Sequence, residues 1–153
     1  MVLRIHWAHA RRVVTVAATA ALAVAFSVAP AAAASTTGHL STFTGGCTGN
    51  FIGLTIAGDT VHAYSTARSF KVELWGADPV FDDFLASFVQ KASVVTPIPA
   101  NAGYIKLLCV SPNTLDEDDG TDDVYAKVFF YDSANAAGPV VESVRTNQIH
   151  ANF

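Results

Sequence analysis

Glycine, proline, asparagine and aspartate punctuate the chain at intervals of about ten residues from Gly38 onward, and the runs between are rich in Val, Ile, Phe, Tyr and Thr. That spacing belongs to a sandwich or barrel of short strands. The clearest run is "SFKVELWG", where Phe70, Val72 and Leu74 share one face and Lys71, Glu73 and Trp75 the other. "VYAKVFFYD" alternates likewise, with Val124, Ala126, Val128 and Phe130 set against Tyr125, Lys127, Phe129 and Tyr131. Both of its faces are fairly apolar, which predicts a central strand.

Further strands are expected at Gly38–Thr44, Cys47–Ile56, Thr60–Ser65, Phe84–Val95, Gly103–Val110 and Val140–Ile149. Within Phe84–Val95 a short helix also fits, because Phe84, Leu85, Phe88 and Val89 follow a helical period, but strand is preferred. Pro97 and Pro99 mark a turn, and Asn135 to Pro139 marks the last hairpin. The expected architecture is an all-β antiparallel sandwich of seven to eight strands. No repeat of 20–50 residues interrupts it.

Ahead of this region stand Arg4, Arg11 and Arg12, an apolar run from Val13 to Val28, then Pro30 and an alanine tract. These are the parts of a secretory signal peptide. Residues 1–34 are read as the leader and 35–153 as a single secreted domain. The apolar stretch counted on to Ala34 approaches bilayer-spanning length, so a retained anchor is the rival reading, and Pro30 with the alanines favours cleavage. "ARRVV" carries a twin arginine without the Phe-Leu signature of that export route, and no cysteine near the cleavage site offers a lipid attachment point.

Export sets the redox chemistry. Cys47 and Cys109 are the two cysteines of the chain, and in an oxidising compartment they are expected to pair, stabilising the fold by roughly 4 kcal/mol in the chain-entropy model. A metal site built from two such distant thiols, with no matching histidine pair, is not expected. Removing the leader takes three of nine basic residues and none of the thirteen acidic ones, which leaves a net charge of −7. Nucleic acid is disfavoured as a partner, as are acidic membranes, because both need a basic face.

Nine of the thirteen acidic residues lie in two segments. The first, "LWGADPVFDDFL", holds Asp78, Asp82 and Asp83, and the second, "TLDEDDGTDD", holds Asp116, Glu117, Asp118, Asp119, Asp122 and Asp123. If both sit at one end of the sandwich their carboxylates repel, and three things relieve that: water and salt, a basic partner, or a hard cation. Calcium is the sharpest of these readings, since it takes 6–8 oxygens and two acidic loops can supply them. Its candidate ligands are Asp78, Asp82, Asp83, Asp116, Asp118, Asp119, Asp122 and Asp123. An EF-hand is excluded: aligning Gly120 with that loop's invariant glycine puts Leu115 and Ala126 where acidic ligands are required. The pair Asp119-Gly120 reads instead as a tight turn.

"LWGADPVFDDFL" resembles a calcium-binding loop of C2 domains, in which a strand is followed by an aspartate, a short spacer, Asp-Asp and a hydrophobic residue. A similar turn occurs in transthyretin-like secreted sandwiches. The resemblance implies ligands at Asp78 and at Asp82 or Asp83, with Phe84-Leu85 opening the next strand. It departs from the C2 pattern at Gly76, where that family has a further aspartate. Over the whole chain, the alanine-rich leader and small acidic sandwich resemble secreted proteins of high-GC Gram-positive bacteria, a resemblance that brings no activity with it.

Catalytic signatures are missing: there is no G-x-S-x-G, no H-E-x-x-H, no P-loop and no Rossmann glycine pattern. His39, His62 and His150 stand singly on expected strands. Carboxylate pairs abound, but glycoside hydrolysis also needs a cleft, which a sandwich of this size has little chain to wall. The sequence therefore points to a non-enzymatic extracellular protein, calcium-stabilised or else a carbohydrate- or protein-binding module without metal. For the glycan alternative, Trp75, Tyr64, Tyr104 and Tyr131 are the candidate aromatic platform.

Overall fold

The two alternating runs are the central strands of one sheet. In the computed structural model, which describes residues 34–78, 80–116 and 121–153, Val72 of β3 (Arg68–Gly76) pairs directly with Val128 of β6 (Asp122–Asp132). Both valines are fully buried, so the register read from alternation holds. β4 (Asp83–Gln90) flanks β3 and β7 (Glu142–Ala151) flanks β6, giving the order β4-β3-β6-β7. A second sheet has the order β1-β2-β5, from β1 (His39–Phe43), β2 (Ile52–Thr60) and β5 (Ala102–Val110). All the strand pairs are antiparallel. The expected leader falls outside the described residues except for Ala34.

The inner faces meet in one core. Leu54, Ile56 and Tyr104 from the three-stranded sheet pack with Val72, Leu74, Val128 and Phe130 from the four-stranded one, each such side chain contributing roughly 1.5–3 kcal/mol by leaving water. Edge-to-face rings carry the contact across the gap, with Tyr104 lying 4.9 Å from Phe130 and 5.8 Å from Phe70. Side-chain amides clip both open edges. Asn147 of β7 accepts from Leu40 N–H and donates to Leu40 O, and Lys106 of β5 donates to Gln90 Oε1 of β4 at 2.9 Å.

Three expectations need correction. Thr60–Ser65 is not a strand, because β2 already takes Thr60 and the chain then turns away: Val61 N–H donates to Glu142 Oε1, and Ser65 and Thr66 N–H donate to Asp132. Only Tyr64 keeps a bridge, to Ile98. Cys47 precedes β2 instead of lying within it. Its bridge to Cys109 is present, with Cα atoms 5.6 Å apart, but it ties the β1–β2 connection to the solvent side of β5 and stays within one sheet. A single helical turn, α1 (Pro112–Leu115), follows β5 where none was expected. Proline presets its first residue, and Leu115 anchors it in the core.

Candidate functional site

The first acidic segment and the last two aspartates of the second, Asp122 and Asp123, converge on one end of the four-stranded sheet, and the strand registers require it. Asp83 opens β4 opposite Gly76, Gly76 pairs on its other side with Val124, and Ala77 N–H donates to Asp123 O at 2.7 Å. The residues that end β3, begin β4 and begin β6 are therefore neighbours, so Asp78, Asp82, Asp83, Asp122 and Asp123 share that end.

Their environments differ. Asp78 and Asp83 line a shallow concavity of about 340 Å³ with Val80 and Phe81. Asp82 is exposed and accepts a hydrogen bond from the Tyr125 hydroxyl at 2.5 Å. Asp122 is buried at the first position of β6, and Asp123 pairs with His150 Nδ1 across β6 and β7. Asp116 caps α1, its N–H donating to Pro112 O. Asp118 and Asp119 lie outside the described residues, as do Glu117 and the expected Asp-Gly turn. Among the described residues no group of three or more His, Cys, Asp or Glu side chains is arranged to hold a metal ion.

What surrounds these carboxylates is aromatic. Phe81 is 78% exposed and Phe84 54%, flanking the pair Asp82-Asp83. Phe84 stands edge-on to Trp75 at 5.5 Å, and the Trp75 indole N–H donates to Glu73. Along the outer sheet face, cations interleave with rings: Lys127 over Trp75 at 3.8 Å, Arg145 over Tyr125 at 3.6 Å, and Lys71 over Phe129 at 5.0 Å. Each such contact contributes about 0.5–2 kcal/mol, more where water is excluded. Tyr125 is fully covered by this packing. Burial first, then the hydrogen bond to Asp82, pushes its hydroxyl up to about 12, so it stays a donor to that carboxylate at neutral pH.

The aromatic platform expected from sequence is divided by the fold. Trp75 and Tyr131 lie on the outer face, whereas Tyr64 and Tyr104 are buried between the sheets. Phe81 and Phe84 take their place at the surface. Alternation placed Tyr125 and Lys127 on the outer face, but Arg145 reaches them only through the β6–β7 pairing, which a register shift between Tyr125 and Lys127 displaces.

No family model, curated protein or solved structure matches the chain. The site's chemistry has to be argued from its own residues.

Proposed function

We propose that this chain is an exported, non-enzymatic interaction module that binds neutral glycans through the acidic, aromatic end of its four-stranded sheet. The observation that carries this reading is the exposure of Phe81 and Phe84 beside Asp82, Asp83 and Trp75. Large exposed rings rimmed by polar groups mark contact surfaces. Rings take the C–H faces of a sugar, while exposed carboxylates accept its hydroxyls. A net charge of −7 beyond the leader turns away polyanions and leaves uncharged sugars as the fitting class. A role without catalysis suits carboxylates spread over an open loop and strand end, with no enclosing wall among the described residues.

Retention on an insoluble neutral polysaccharide tests the proposal. Trp75 is the only tryptophan after the leader, so soluble oligosaccharide should shift its emission. Replacing Phe81 and Phe84 with alanine should abolish both retention and shift while leaving the melting temperature within about 2 °C, since neither ring is buried. The calcium reading rests on the concavity that Asp78 and Asp83 share. It requires a chelator to lower the melting temperature and Asp82→Asn with Asp83→Asn to remove that response. Glycan binding that is indifferent to chelator separates the two.

A further inference from the structure

The opposite end of the sandwich has a separate opening. Between the end of β4 and the start of β5, the segment 91–101 helps to line a cavity of about 620 Å³, within the roughly 300–1,000 Å³ range of small-molecule sites. Phe70 and Tyr104 form its floor, one from each sheet, and Ile98, Ile105 and Val94 add apolar wall. Two lining residues are cationic, Arg68 and Lys91, and no carboxylate is among the lining residues. That is unusual in a chain whose described and leaderless part is strongly acidic.

Arg68 makes the charge more than a surface accident. It is half-buried at the first position of β3 and reaches across to the other sheet, where Nη1 donates to Thr60 Oγ1 and Ala102 O and Nη2 donates to Gly103 O. Neutral oxygens are thus its partners. Among the described residues no carboxylate lies within 4.0 Å of it. The nearby Glu142 is engaged elsewhere, accepting from Val61 N–H and the Tyr64 hydroxyl. A guanidinium held in place without a direct ion pair, beside an aromatic floor, is suited to receive a ligand carboxylate.

We infer that this cavity binds a small amphiphile, an aromatic or branched apolar body bearing one carboxylate, with the ring on Phe70 and Tyr104 and the acid toward Arg68 and Lys91. Apolar burial supplies the affinity, and the two cations orient the ligand and select the anion over its neutral analogue. The site is separate from the acidic end and stands or falls without it.

The test compares 1-naphthoate with 1-naphthalenemethanol, the same ring with and without the charge, by titrating each into the purified protein and following amide resonances. The acid should move Lys91, Gly103, Tyr104 and Ile105 and bind about tenfold more tightly than the alcohol. Arg68 holds two carbonyls and its replacement risks the fold, so the decisive variant is Val94→Glu, at an exposed rim position. It should weaken the acid about tenfold and leave the alcohol within about twofold. Equal affinity for acid and alcohol, indifference of the acid to Val94→Glu, or shifts confined to the acidic end would each overturn the inference.

Discussion

Removing the disulfide should weaken the fold through the unfolded state and leave the native core as it is. Cys109 lies on the exposed side of β5, and Cys47 in the bend before β2. Serine at both positions therefore opens no cavity between the sheets. The cost comes from freeing a loop whose ends stand 62 residues apart, which the chain-entropy expression converts to about 4 kcal/mol at 25 °C. For a domain of this length about 1 kcal/mol moves the midpoint by roughly 3–5 °C, so the melting temperature should fall by roughly 12–20 °C. Urea titration of the oxidised protein against Cys47→Ser/Cys109→Ser measures the difference directly. The slope of free energy against urea should also rise, because the uncrosslinked chain exposes more surface on unfolding. A loss below about 1 kcal/mol with an unchanged slope would refute the argument, as it would mean the unfolded chain keeps these segments together unaided. A double variant that fails to fold would refute it from the other side.

Val72→Ala or Val128→Ala should each cost about 1–3 kcal/mol in chemical denaturation, since both side chains are fully buried and face one another. Lys71→Ala should cost under about 1 kcal/mol, because a half-exposed pair with Glu73 and a ring contact with Phe129 are what it loses. Gly58→Ala should destabilise by about 1–3 kcal/mol, because a Cβ there would come within 2.1 Å of Thr37 O, a backbone atom that cannot swing aside. Asp132 accepts from the Ser65 hydroxyl and from the Ser65 and Thr66 N–H groups, which hold its carboxyl down at about 2. Its pKa is lower folded than unfolded, so its contribution is complete above the ordinary carboxylate value and fades as pH falls toward about 2. Carboxyl-carbon titration should find that midpoint, and one near the ordinary value of 3.8 would contradict the loop geometry.

The sandwich was legible because period-two alternation is a local signal. Residues 69–76 and 124–132 show it without interference, and the structure makes them neighbours in register. Thr60–Ser65 failed for a non-local reason. Its composition suits a strand, but the N–H groups of Val61 and Ser65 go to the carboxylates of Glu142 and Asp132, 81 and 67 residues further along the chain. No pattern within the segment announces that. The disulfide pairing followed from counting cysteines, while its place on the outer face depended on Cys109 falling opposite to Leu108 and Val110 in β5, both buried. Composition exposed the acidic segments but not the meeting of the first with Asp122 and Asp123, which needs the antiparallel order of β4, β3 and β6. The cavity floored by Phe70 and Tyr104 left no trace at all, since its lining comes from both sheets and from the segment between β4 and β5.

The question of how so many carboxylates tolerate one end of a sheet has an answer within that sheet. Tyr125 is the hinge of it. Its hydroxyl reaches outward to Asp82, while its ring face receives Arg145 at 3.6 Å and its neighbour Lys127 lies over Trp75. Three of the six basic residues beyond residue 34, Lys71, Lys127 and Arg145, thus stand on the outer face that leads to the acidic end. Held over rings, Lys127 and Arg145 lend a positive field to this end of the sheet. Asp82, itself exposed, accepts from the Tyr125 hydroxyl, and Asp123 has His150. Such a surface is charged enough to stay hydrated and aromatic enough to stack. Those are the two demands that an uncharged, many-hydroxyl ligand makes of a protein, whereas an ion makes only the first.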